Sequence, residues 1–175
     1  MALTKIIGSG IGTVTNQFAD GNMAAGSVLQ VQSSILTTHF TFTTTSFADI
    51  TGLTVNITPS SSNSKILVTA HLGAVSGGGA HAQIFGFARD STVIGQSTAS
   101  VTTAGGIGRY TGGSGAADNF ESMSFQVLDS PSTTSQVTYK LQGKTTGSTT
   151  YIGRWGSDDS QFGFSSSITV MEIAG

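Results

Sequence analysis

Cysteine is absent from this 175-residue chain, so no disulfide staples it and no thiolate can bind a metal. Charge is scarce. Asp, Glu, Lys and Arg together make up 9% of residues, and the formal net charge is −2; an ordinary domain carries about 25%. The seven basic residues (Lys5, Lys65, Arg89, Arg109, Lys140, Lys144, Arg154) are scattered rather than clustered. A nucleic-acid partner would need a basic patch, so none is expected. No segment approaches the roughly 18 consecutive apolar residues of a membrane span, which argues against a membrane partner. The opening MALTKIIGSGIG has no sustained apolar run and breaks at Gly8, Gly10 and Gly12, so no secretion leader is expected. The Asn56-Ile-Thr58 glycosylation triplet is discounted with it.

Hydrophobic residues are 37% of the chain, and Ser and Thr fill roughly 30%. Disordered chains combine high charge with few hydrophobics, and this chain has neither. The length suits one domain with a sizeable core. A surface so poor in charge is weakly protected against self-association. The bland reading is a Ser/Thr-rich soluble surface; the sharper one is a surface covered by copies of the chain or by a larger assembly.

Residues 1–26 differ from the rest. KIIGSGIGTVTNQFADGNMAAG is punctuated by glycine and weakly periodic, and reads as an extended arm. Terminal segments are commonly disordered. Against that stand Ile6, Ile7, Ile11, Val14, Phe18 and Met23, more apolar groups than a solvated tail carries, so the arm is expected to dock on something.

From Ser27 onward the hydrophobic period is two, the period of β-strands. Val28–Val31 begins the first strand, and His39–Thr45 alternates Phe40 and Phe42 with threonines. Leu53, Val55 and Ile57 face one way until Pro59, which lacks a backbone donor, ends the ladder. After the PSSSNS turn, Ile66, Val68, Ala70 and Leu72 resume one face. His81–Arg89 leads through a tight turn at Asp90–Ser91 to Thr92–Gly95. Ser122–Leu128 and Gln136–Gln142 offer Met123, Phe125, Val127 and Val137, Tyr139, Leu141 to a core. Tyr151–Trp155 is short, and Ser167–Ala174, apolar on nearly both faces, reads as a central or covered strand. No helical stripe appears. The expected fold is all-β: an antiparallel β-sandwich over residues 27–175, jelly-roll-like, carrying the N-terminal arm. Two glycine-rich loops are expected at Ser97–Asp118 and Gly143–Thr150.

Most candidate chemistry fails on its frame. QGKTTG ends like a phosphate-binding loop, but the required glycine five residues before the Gly-Lys pair is Thr138, inside a strand. GSGIG and GGIG lack the strand–helix frame of a dinucleotide site. His71 and His81 could approach if their strands paired, but zinc wants three or four ligands and no third is evident. The carboxylates Asp158 and Asp159, or Asp118 and Glu121, have no defined catalytic geometry. No catalytic residue, metal or cofactor is expected, and the chain is not expected to be an enzyme. One constellation keeps interest: Tyr151, Arg154, Trp155, Asp158 and Asp159. Trp, Tyr and Arg anchor interfaces, and a tryptophan beside Arg and acids can stack on sugar rings. Core packing of Trp155, a subunit interface and glycan contact are the three readings.

Four stretches resemble one another's counterparts in a known group: GLTVNITPSSSNSKILV (52–68), ARDSTVIGQ (88–96), LDSPSTTSQVTYKLQ (128–142) and SITVMEIAG (167–175). Together they resemble small structural virion proteins of tailed bacteriophages, notably cyanophages and other marine phages. IGTVTNQFADGNMAAGSVLQV (11–31) resembles the lead-in of fibre-like members. The resemblance covers most of the chain, is weakest over Ser97–Asp118, and rests on scaffold strands and turns. It implies a virion component assembled in the host cytoplasm, as a homotrimer with its arm on other virion proteins (tail, portal vertex or capsid). The sandwich would then project outward as a knob, able to contact host-surface glycans. A capsid decoration or cement protein is the alternative, favoured by a length too short for a long shaft. A depolymerase-type enzyme is the third reading.

Overall fold

A computed structural model of the chain describes residues 23–77, 81–97, 105–111, 121–155 and 163–175. Eleven strands follow in order: β1 (Val28–Leu36), β2 (Phe40–Phe42), β3 (Ala48–Ile57), β4 (Lys65–Gly77), β5 (Ala82–Arg89), β6 (Thr92–Ile94), β7 (Gly108–Thr111), β8 (Glu121–Asp129), β9 (Val137–Thr145), β10 (Thr150–Ile152) and β11 (Ser166–Ile173). No helix occurs among the described residues. β-Branched and aromatic side chains fill the alternating runs, which suits a half-buried pleated surface.

All pairings are antiparallel and fall into two sheets. In the first, the long strand β4 is central. β8 lies along one edge; β11 lies along Lys65–His71 of the other edge, and β10 continues that edge at Val75–Gly77. β1 completes the β11 side and β2 the β10 side. The second sheet runs β3–β9–β5, with β6 and β7 sharing the far edge of β5. Treating β6 and β7 as one interrupted strand, and β2 and β10 as short companions, leaves eight strands. These pair first with last (β1–β11), second with seventh (β3–β9), third with sixth (β4–β8), fourth with fifth (β5–β6/β7). That nested pairing is the jelly roll that the alternation suggests.

The inward faces are those the period of two selects. Leu53, Val55, Ile57, Ile66, Val68, Ala70, Leu72, Val137, Tyr139 and Leu141 are all buried in one cluster with Phe85, Phe87, Ile168 and Val170. Each large aliphatic or aromatic group removed from water there contributes about 1.5–3 kcal/mol. Asp90, with φ 52°, makes the β5–β6 turn; its carboxylate accepts a hydrogen bond from Thr138 N at 2.9 Å and fastens the turn to β9.

Several boundaries differ from the sequence reading. The run 39–45 keeps only Phe40–Phe42 as strand. The glycine-rich loop expected from Gly143 starts later, because Gly143, Lys144 and Thr145 belong to β9, paired with β5. Glycine is required at 143, since a Cβ there would stand 2.6 Å from Cζ of Phe42. The loop expected over Ser97–Asp118 contains β7, Gly108–Thr111. Ser167–Ala174, read as central or covered, is β11, flanked by β1 and β4.

Candidate interaction surface and buried polar clasps

Of the expected site residues, Tyr151, Arg154, Trp155 and Met23 are described. Arg154 sits over the ring of Tyr151, its guanidinium carbon 4.5 Å from the ring centroid, and its carbonyl accepts a hydrogen bond from Ser76 Oγ at 3.2 Å. Trp155 is half-buried. Asp158 and Asp159 lie outside the described residues, as do Ile6, Ile7, Ile11, Val14 and Phe18 of the arm. Met23, the last arm residue singled out, is exposed. It lines a groove of about 220 Å³ with Leu29, Ser61, Asn63, Ser64, Ala174 and Gly175. There the chain joins the sheet: Gly26 N donates to Ala174 O at 2.8 Å, and Ala174 N donates to Ser27 O at 2.8 Å.

His71 and His81 do not approach each other through paired strands, because β4 and the strand that follows His81 belong to different sheets. His71 shares a 3.1 Å hydrogen bond with Ser124. Among the described residues no group of three or more His, Cys, Asp or Glu could hold a metal ion.

Three carboxylates are committed to the scaffold. Asp129 Oδ2 accepts from Arg89 Nη1 at 2.6 Å and from the Tyr139 hydroxyl at 2.7 Å, tying β8 across to the second sheet. Burial, and then the adjacent Asp129 carboxylate, push the Tyr139 phenol well above its ordinary value. On the outer face of the second sheet, Asp49 accepts from Lys140 at 2.9 Å and Gln142 at 2.7 Å. Burial opposes its ionised form, but these donors outweigh it and hold the carboxyl below the usual range.

The third, Glu172, escapes a reading of the last strand as simply apolar. It lies fully buried on the inward face of β11, in register with Ile66 and Gln30. Oε1 accepts from Ser60 N and Ser60 Oγ, both at 2.7 Å, and Oε2 accepts from Gln30 Nε2 at 2.6 Å. Burial alone would raise its pKa. The Ser60 hydroxyl, the dipole of buried Ser64, the Gln30 amide and Ser60 N–H more than offset it, leaving the carboxyl below its ordinary value. Glu172 therefore fastens the turn after β3 and the start of β1 to the end of β11 without a cation. The signal was the period of two: with Ile168 and Val170 inward, position 172 must be inward as well.

The outward face of the first sheet has a different chemistry. The register places Val31, Met171, Leu67 and Leu128 side by side in one row across β1, β11, β4 and β8. The next row is Ser33, Thr169, Thr69 and Gln126, and the next Ile35, Ser167, His71 and Ser124. None of these twelve positions holds Asp, Glu, Lys or Arg, and His71 is the one titratable group. A shallow groove of about 460 Å³ runs between Thr69, His71, Ser124, Gln126 and Ser167. Six large hydrophobic side chains are exposed among the described residues. Four of them, Val28 (51%), Val31 (51%), Ile35 (64%) and Leu128 (60%), project from this face. The opposite sheet instead presents Asp49, Lys140 and Lys144 outward, the last with its ammonium 4.6 Å from the centroid of the Phe47 ring.

Fold and surface together define an all-β jelly-roll module with one apolar-striped face whose three central rows carry no Asp, Glu, Lys or Arg. No protein-family model matches the chain, and no curated protein matches it.

Proposed function

We propose that the chain is a non-enzymatic structural protein of a tailed-phage virion: a homotrimeric tail- or head-fibre component, anchored by residues 1–26, with the sandwich as its outward knob. The observation that carries this reading is the gathering of four exposed hydrophobics on one sheet face whose central rows are uncharged. Monomeric proteins seldom leave such a patch open, and assembly is its ordinary explanation. The placement of the buried carboxylates supports it, because Glu172 and Asp129 spend their hydrogen bonds on the scaffold. The phage assignment itself rests on the resemblance of the strand and turn motifs.

A capsid decoration or cement protein is the second reading. It is favoured by the described residues forming one sandwich with no shaft-like repeat. Electron microscopy of particles with and without the protein separates the two. Copies spread evenly over the shell lattice exclude the fibre; lost adsorption with intact heads excludes decoration. Deleting residues 1–25 should abolish attachment to particles while the sandwich still folds; normal incorporation of the truncated chain would defeat the anchoring role. A purified chain that cleaves surface polysaccharide would refute the non-enzymatic assignment.

A further inference from the structure

We infer that the outward face of the β8–β4–β11–β1 sheet is where copies of this chain meet, about an axis running roughly along the strands. The inference rests on the homotrimer proposed above and adds which surface closes it and in what orientation.

Charge identifies the occupant. A partner surface bearing Lys, Arg, Asp or Glu would have to bury those groups against twelve positions that offer no opposite charge, at a cost of several kcal/mol per ion. The matching surface is itself uncharged. Among the described faces that is this same face, since the other sheet carries Asp49, Lys140 and Lys144.

Row chemistry sets the orientation. Two rows each keep one character across all four strands: apolar for Val31, Met171, Leu67 and Leu128; hydroxyl and amide for Ser33, Thr169, Thr69 and Gln126. Rotation about an axis parallel to the strands preserves height along them, so apolar row meets apolar row and hydroxyl row meets hydroxyl row. Rotation about an axis across the strands turns the rows away from one another and no longer sets like row against like. The β1–β11 half of one copy then suits the β4–β8 half of the next, a head-to-tail contact that closes into a ring. The face is bounded at one end by the row of Val28, Ile173 and Lys65, where the Lys65 ammonium donates to Ser130 Oγ at 2.9 Å.

The area sets the strength. Strands about 4.8 Å apart and rows about 6.8 Å apart give a face of roughly 400 Å² per copy before side-chain relief is counted. In a ring each pairwise contact joins half of one face to half of the next, about 400 Å² in all, below the roughly 1,200 Å² of a standard interface, so this face makes a weak contact that dilution reverses.

The test is sedimentation velocity of the full chain over a concentration series from micromolar upward, with Val31→Lys, Leu128→Lys and the control Thr54→Glu. Positions 31 and 128 are more than half exposed, so lysine there leaves the sandwich intact, as circular dichroism would verify. Thr54 faces outward on the second sheet beside Lys140. Wild type and Thr54→Glu should sediment at about three times the 17.8 kDa monomer mass. Either lysine variant should raise the dissociation constant at least 100-fold and leave monomer. A wild-type chain that stays monomeric overturns the homotrimer and this inference with it. A wild-type oligomer that both lysine variants leave intact overturns the face assignment alone.

Discussion

Replacing Glu172 with glutamine tests whether a buried carboxylate without a cation helps hold this fold together. The amide turns one acceptor oxygen into a donor. Facing Ser60, the new NH₂ meets the backbone N–H. Facing Gln30, it meets Nε2, and Gln30 can reverse only by giving up its 2.7 Å bond to Thr58 O. Either way one bond to a charged acceptor is lost, worth about 1.5–3 kcal/mol, and the others fall to neutral strength near 1 kcal/mol. The neutral amide recovers part of this because it is cheaper to bury. The net expectation is a loss of about 2–3 kcal/mol at pH 7. With a urea slope of about 2 kcal/mol/M, the midpoint should fall by about 1–1.5 M. Fluorescence of Trp155, the single tryptophan, can follow unfolding at one fixed protein concentration, since association adds to stability. The pH dependence has a definite sign. The folded-state pKa is depressed, so the stabilisation is complete above the ordinary value of 4.5 and fades as pH falls through and below it. The wild-type and Glu172→Gln midpoints should therefore converge below about pH 4.5. Asp49 has the same sign but is present in both proteins and cancels. An unchanged or raised midpoint for Glu172→Gln at pH 7 would refute the reasoning.

Two other substitutions probe the core. Gln83 is fully buried on β5, and neither its amide oxygen nor its nitrogen has a hydrogen-bond partner. Gln83→Met should raise stability by about 1–2 kcal/mol, seen as a melting temperature higher by about 2–6 °C; a lower one would mean that the amide is bonded in solution. Gly143→Ala should cost about 1–3 kcal/mol by overpacking against Phe42, whose ring stands edge-on to Phe85, and a neutral outcome in urea titration would show that the Phe42 ring yields freely.

The inward half of this structure is legible in the sequence, and the outward half is not. Leu53, Val55 and Ile57 announce their burial because alternation is local and needs only the next residue but one. The apolar row needs four strands in register. Val31, Leu67, Leu128 and Met171 are far apart in sequence, and each reads alone as an unremarkable hydrophobic on a polar face. Low charge hinted at a covered surface, and only the pairing gathers the uncharged rows onto one face. Gly143 misled in the other direction: a glycine before Lys-Thr reads as the start of a loop, whereas β9 needs it to admit the Phe42 ring. Tyr151, Arg154 and Trp155 were close enough in sequence to be noticed, and Tyr151 and Arg154 do meet, through ring and guanidinium.

The nested pairing of the jelly roll also sets a schedule for folding. Among the described residues β1 pairs with β11 alone, and the Gln30–Glu172 bond joins residues 142 positions apart. During synthesis, the first strand therefore waits for β11 while strands β2 to β10 emerge. Contacts of such long range close slowly, and an open strand edge is a template for wrong partners. The first sheet, and with it the uncharged face, exists only once the eleventh strand has been added. That face thus cannot be offered to any neighbour before the eleventh strand has been made and paired.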